Sequence, residues 1–261
     1  MATRLAWVAG LLALLIATSG LCSEPSSCVG CHEPHYDPKP CTACHQGNPR
    51  TSRENIAHHR IIPGRYASFR WPQSRMVQAG KERIQKLACR RCHIIAGEGN
   101  GLAADLSFPP PDAKVKSMAS SIREPAQAMP DWYLSEGDID AIVNALLHLS
   151  LDLDASSRER RRTVHFTKSR SGQSPFEQYC GACHRMLSHN RGGLGSGEAG
   201  PNLSGLMTGF YPSASSARDD WTLPTLRRWI ANPRDIKKSA GMPPVDVPQG
   251  SMSPLLRTFL P

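Results

Sequence analysis

Aromatic side chains are scarce in this chain, 6% of 261 residues, and the hydrophobic total stops at 39%. Small domains have little interior for their surface, so a chain this lean closes compact cores only if something besides its side chains adds apolar area. Long apolar runs are missing too. The run near the start, Leu5 to Ala17, falls short of the roughly 20 residues a bilayer-spanning helix needs. Unpaired cysteine is almost absent: eight of the nine cysteines fall into Cys-x-x-Cys pairs, which leaves only Cys22.

What the chain has in quantity is one pentapeptide. Cys-x-x-Cys-His stands at Cys28/Cys31/His32, Cys41/Cys44/His45, Cys89/Cys92/His93 and Cys180/Cys183/His184, and it is the signature of covalent c-type haem attachment. Two cysteines three residues apart lie on one side of a helical turn, so both sulfurs meet the two vinyl groups of one porphyrin. The next residue, histidine, points at the iron. The expected cofactor is therefore four covalently attached haem c groups, with the eight paired cysteines as attachment points and His32, His45, His93 and His184 as proximal ligands. Porphyrin also supplies the missing apolar surface. The competing readings, a four-cysteine zinc ribbon from the first two pairs or plain disulfides, leave the histidine after every pair unexplained.

Arg4, the apolar run and the small residues Ala17-Thr18-Ser19-Gly20 read as a secretory signal peptide over residues 1–20. An uncleaved N-terminal membrane anchor and lipidation at Cys22 are the alternatives. Because c-type haem is attached outside the cytoplasm, the expected location is periplasmic or otherwise exported, with membrane association where an anchor is kept. The formal charge of +9 first points to an acidic partner, but four haems bring about eight propionates, so nucleic acid is not implied.

Residues 21–62 hold two haem motifs, five prolines and little helical periodicity, so ligands must organise them. His35, His58 and His59 lie outside the motifs here, and two irons need sixth ligands. His35 and His58 are the candidates, with His59 as substitute for His58 and the haem that His35 serves left open. A linker is expected at 63–73. From Ser74 to Asp154, Met76, Ala79, Ile84, Leu87 and Ala88 trace an approximate helical stripe before the third motif. Gly97 to Gly101 and Phe108-Pro109-Pro110-Pro111 make a loop, and Ser135-Glu136-Gly137-Asp138 looks like a capping box for a closing helix with Ile139, Ile142, Val143, Leu146, Leu147 and Leu149. Residues 155–174 read as a basic linker, a solvated connector or a docking patch for an acidic partner or anionic membrane. From 175 to 261, Gly200-Pro201-Asn202-Leu203, Trp229-Ile230-Ala231-Asn232-Pro233 and Gly241-Met242-Pro243-Pro244 repeat the plan. Pro254 to Leu260 leaves room for only a short final helix, and its docking on the first helix of the unit is in doubt.

The 21–62 segment, through Cys-Val-Gly-Cys-His, Cys-Thr-Ala-Cys-His-Gln-Gly-Asn and Ala57-His58-His59, resembles the repeat unit of multihaem cytochromes. The unit at 74–154 resembles a class I cytochrome c domain across nearly its whole length, and the unit at 175–261 resembles the same family through its Gly-Pro-Asn-Leu, Trp-Ile-x-Asn-Pro and Met-Pro-Pro pieces, departing from it at the short final helix. The implied fold class is mostly α, a small loop-rich dihaem module plus two all-α class I domains. That family places a methionine ligand just before a proline, which implies Met129 and Met242 as distal ligands, with Met76 and Met118 left as packing residues. His148, His165 and His189 stand beside no convincing site.

Thioether sulfur favours ferrous iron more than imidazole does, so two bis-His haems would lie below two His/Met haems in potential. The expected function is an exported electron carrier or the c-type subunit of a respiratory complex. It would pass single electrons from a low-potential donor protein to a higher-potential acceptor. The enzymatic alternative, a dihaem peroxidase-like oxidoreductase, needs an openable distal site, whereas Met129 and Met242 would both close theirs.

Overall fold

A computed structural model describes residues 27–35, 40–71, 73–107, 115–126, 128–153, 174–189, 191–212 and 221–260. The signal peptide, Cys22, Phe108 to Pro111, His165 and the basic linker apart from Ser174 lie outside the described residues. The chain is mostly helical, as expected.

The first unit is held by short turns. Cys41–His45 forms α1 and Glu54–Ala57 forms α2, while Ser27 ties the segment's ends together by donating to the carbonyls of Pro49 and Thr51 at 2.7 and 2.8 Å. None of the residues in these turns and helices is buried, so side-chain packing contributes little to order here.

The stretch read as a linker, 63–73, instead holds a 3-10 helix over Gly64–Arg70 that buries Tyr66, Ala67 and Phe69. The reason is local chemistry: Pro63 sets the entry φ at −57°, and the apolar residues alternate with Arg65 and Arg70, whose charges stay outside. Arg65 donates to Asp140 at 2.9 Å and Glu136 at 3.0 Å. Asn144, fully buried, donates to the Arg65 carbonyl at 2.9 Å, and His148 reaches the Phe69 carbonyl at 2.8 Å.

In the second unit α3 spans Arg75–Lys86, capped by Ser74, whose hydroxyl accepts from the Val77 amide. Its buried face is Val77, Gly80 and Ile84; Ile84 is buried as expected, but Val77 and Gly80 take the place of Met76 and Ala79, which are exposed. The register follows from Gly80, which lets α3 lie against the backbone of α5 (Glu136–Leu149) at Ala141. Met118, on α4 (Val115–Arg123), packs as expected against two core clusters. Ser135 caps α5 by accepting from the Asp138 amide, but the Asp138 carboxylate takes the Ser135 hydroxyl in return, at 2.9 Å. The full reciprocal capping box lies at Ser174 and Glu177.

The third unit starts with α6 (Pro175–Tyr179), then an antiparallel hairpin, β1 (Met186–Ser188) with β2 (Gly192–Leu194), where a loop was expected. α7 spans Leu223–Ala231 and buries Leu226 and Ile230. The final helix α8 runs Gln249–Arg257, starting earlier than the proline pattern implied because Pro254 sits inside it. It docks on α6 after all: Phe176 meets Phe259 edge-on at 5.8 Å, and both belong to one core with Leu255 and Leu256.

Candidate haem sites

Each described motif winds one turn in which the histidine amide bonds back to the first cysteine's carbonyl: His32 to Cys28 at 2.9 Å, His93 to Cys89 at 3.0 Å, His184 to Cys180 at 2.9 Å. In the second motif α1 supplies the same turn. This places both sulfurs of a pair on one side of the turn. None of the eight described cysteines is in a disulfide, and among the described residues no group of three or more His, Cys, Asp or Glu side chains is arranged to hold a bare metal ion. Burial pushes the thiols of Cys89 and Cys180 up to about 11 and raises that of Cys92.

Three of the four motif imidazoles are fixed in the same way. His45 Nδ1 lies 2.9 Å from the Ile62 carbonyl oxygen, His93 Nδ1 2.8 Å from that of Ala104, and His184 Nδ1 2.8 Å from that of Pro201. A backbone carbonyl on Nδ1 selects the tautomer with its proton there and leaves Nε2 as the donor to a metal. Burial also lowers the pKa of His93, partly offset by its bond to Ala104, which favours the neutral, ligating form. Gly200 packs against the His184 ring, where any Cβ would overlap the imidazole.

The second and third units build this feature on one framework. Ala103 donates to the Cys92 carbonyl and Gly200 to that of Cys183; Leu106 donates to Ile94 and Leu203 to Arg185. The carbonyl partner lies 11 residues beyond His93 but 17 beyond His184. The hairpin β1–β2 takes up the additional residues; the second unit makes do with a single bridge from Ile95 to Glu98. Glycine is required twice for close approach: a Cβ on Gly99 would overlap the His93 carbonyl, and one on Gly195 that of His184, with φ of +141° and +71°.

In the first unit a cavity of about 800 Å³ is lined by both cysteine pairs together with His32, His35, His45 and His58, near the upper end of the ~300–1,000 Å³ usual for ligand pockets. Its imidazoles stand in two pairs, His32 with His58 at 5.9 Å between ring centroids and His35 with His45 at 5.7 Å. Two imidazoles on opposite sides of one metal have centroids about 6 Å apart, from metal–nitrogen bonds of about 2 Å and about 1 Å from nitrogen to ring centre. The donor set therefore fits haem c. His59 faces elsewhere, into a second hollow beside Gln46, Asn48 and Arg60.

Met129 is half-buried on its loop and Met242 half-buried beyond α7. Trp229 Nε1 points at Met242 Sδ, 3.1 Å away, and Trp221 backs that indole edge-on at 5.4 Å. His189 lines a small void at the seam between the last two units.

A family model described as cytochrome c oxidase, cbb3-type, subunit III matches residues 75–144. That segment is a c-type cytochrome domain. The protein accordingly binds haem c covalently and transfers electrons to and from redox partner proteins. The match covers α3, the Cys89–His93 motif, Met129 and most of α5, well under half of the chain. No curated protein and no solved structure matches. Among the described residues no helix is long and apolar enough to cross a membrane.

The carbonyl partners Ile62, Ala104 and Pro201, and the indole of Trp229 beside Met242, were not legible as functional. Pro201 and Trp229 carried a signal, as parts of the Gly-Pro-Asn-Leu and Trp-Ile-x-Asn-Pro pieces.

Proposed function

We propose that this chain is an exported tetrahaem cytochrome c that relays single electrons from a low-potential donor to a higher-potential acceptor. It would act as a free carrier or as a c-type subunit of a respiratory complex, in line with the oxidase-subunit family its central segment resembles. The cysteine pairs hold four haems in three units, a dihaem module at 21–62 and domains at 74–154 and 175–261. The observation that carries the reading is the pairing of four imidazoles inside one cysteine-lined cavity.

His32 and His58 would hold one iron, His35 and His45 the second, His93 and Met129 the third, His184 and Met242 the fourth. Haem iron supplies the one-electron chemistry. The polypeptide attaches each porphyrin through thioethers, fixes the imidazoles through Ile62, Ala104 and Pro201, and sets the potential through the sixth ligand. A filled sixth position leaves no room for substrate, which favours a relay over a catalyst.

A spectroelectrochemical titration of the intact holoprotein tests this, combined with a mass measurement of covalent haem. Four attached haems, all low-spin, with two low and two higher potentials and a methionine-to-iron band in the far red, are expected. Fewer attached haems, or a stoichiometric high-spin centre with rapid peroxide turnover, would overturn it.

A further inference from the structure

We infer that Arg91 and Asn202 clamp the second and third units into one redox body in which Arg91 is a cation shared by two haem sites. This rests on the proposal that both units carry His/Met haem.

Asn202 has a counterpart in the second unit. Asp105 Oδ1 accepts from the Ser107 amide at 2.9 Å, and Asn202 Oδ1 accepts from the Ser204 amide at 2.9 Å. A carboxylate suffices for that turn, so the amide at 202 adds something the turn does not use: an Nδ2 donor. It donates across the seam to the Ala128 carbonyl at 2.8 Å, one residue before Met129. On its other side Asn202 follows Pro201, whose carbonyl holds the His184 imidazole. One residue thus ties the candidate distal-ligand loop of one site to the proximal ligand of the next.

Arg91 approaches the same residue from within the Cys89–Cys92 loop. Its Nη1 donates to the Asn202 carbonyl at 3.0 Å, its guanidinium lies over the Tyr211 ring at 5.6 Å, and Tyr211 Oη donates to the same carbonyl at 3.0 Å. Gly205, at φ +70°, packs so closely that a Cβ would overlap the Arg91 carbonyl. Cys92, Leu102, Ala128 and Leu187 close the seam as a buried apolar cluster drawn from both units. A cation held half-buried there is poorly screened by water, and positive charge beside an iron centre favours its reduced form. Arg91 therefore raises both potentials, and Asn202 is a positioning residue.

The test uses the holoprotein with R91Q, R91K and N202D. R91Q is expected to shift both His/Met potentials downward and leave the bis-His pair unchanged. R91K, which keeps the charge without the planar stack on Tyr211, is expected to restore most of that shift. N202D keeps the turn but loses the bond to Ala128, and is expected to split one cooperative unfolding step of these units, followed by circular dichroism, into two. Unchanged potentials in R91Q, a shift confined to one centre, equal behaviour of R91K and R91Q, or a single unfolding step in N202D would each overturn the clamp. Absence of the methionine-to-iron band from the wild type would count against the ligand assignment instead, and leaves the unfolding test of the clamp standing.

Discussion

Gly80 of α3 meets the carbonyl of Ala141 on α5 with no space for a side chain: a Cβ would overlap the oxygen and press within 2.7 Å of the Ala145 methyl. This contact sets the buried face of α3 to Val77, Gly80 and Ile84 and so the position of the Cys89–His93 turn that follows.

Gly80→Ala tests that dependence. Alanine is the better helix former by about 1 kcal/mol in an exposed position, yet here the overlap dominates. Overpacking costs about 1–3 kcal/mol or more, so the second unit is expected to lose stability on balance. Thermal unfolding of the holoprotein followed by circular dichroism reads this; an unchanged or higher midpoint would show that α3 can slide on α5 without cost.

The two histidines at the end of α2 give a sharper test. His58 stands opposite His32 at 5.9 Å between centroids, while His59 lines a separate hollow. His58→Ala is expected to leave one centre high-spin, and His35→Ala another, through loss of the partner to His45. His59→Ala is expected to leave every centre low-spin. Electron paramagnetic resonance of the oxidised protein distinguishes these, and a high-spin signal in His59→Ala would reverse the choice.

These cases show what the sequence could carry. The four motifs were fully legible because the chemistry is contiguous: cysteines and histidine fall within one turn, and the structure forms that turn each time. Helix α5 was legible from periodicity, since Ile139, Ile142, Val143 and Leu146 are buried as the pattern implies. The first half of the α3 stripe was misjudged, with Met76 and Ala79 in place of Val77 and Gly80, because glycine carries no hydropathy signal, whereas Gly80 decides the packing. The 3-10 helix at Gly64–Arg70 was missed because three apolar residues among arginines show no helical period of 3.6. The carbonyls that orient the imidazoles were invisible for a different reason: any residue has one, and only the loop path brings Ile62, Ala104 or Pro201 to its histidine.

Charge on α5 sets a pH dependence. The Arg123 side chain, bonded to Glu136 at 2.7 and 2.8 Å, holds that carboxyl below its usual range, with Arg65 adding to the effect. Arg83, bonded at 2.6 Å, does the same for Asp138, aided by Ser135. A depressed carboxyl pKa stabilises the fold above the unfolded value, and that contribution fades as pH falls through the folded one. The second unit is therefore expected to lose stability as pH drops from about 4.5 downward, more steeply than a variant carrying both Glu136→Gln and Asp138→Asn. Parallel melting curves of the two proteins between pH 6 and pH 3 check this; Glu136 is exposed and Asp138 only half-buried, so the difference is small and salt-sensitive.

The indole beside Met242 offers a graded test of the sulfur's role. Thioether sulfur is a weak acceptor, and the 3.1 Å approach of Trp229 Nε1 draws electron density from it. In the proposed ligand set that makes the sulfur a still poorer donor to iron and raises the potential of its centre. Met242→His is therefore expected to lower one of the higher potentials strongly, because imidazole replaces thioether. Trp229→Phe is expected to move the same centre in the same direction by less, because the sulfur stays while its hydrogen bond goes. Met129→His is expected to lower the other. Redox titration of the three variants separates the effects: a potential that Met242→His leaves unmoved removes that methionine from the ligand set, and an upward shift in Trp229→Phe would mean that the indole supports the sulfur by packing, not by polarising it.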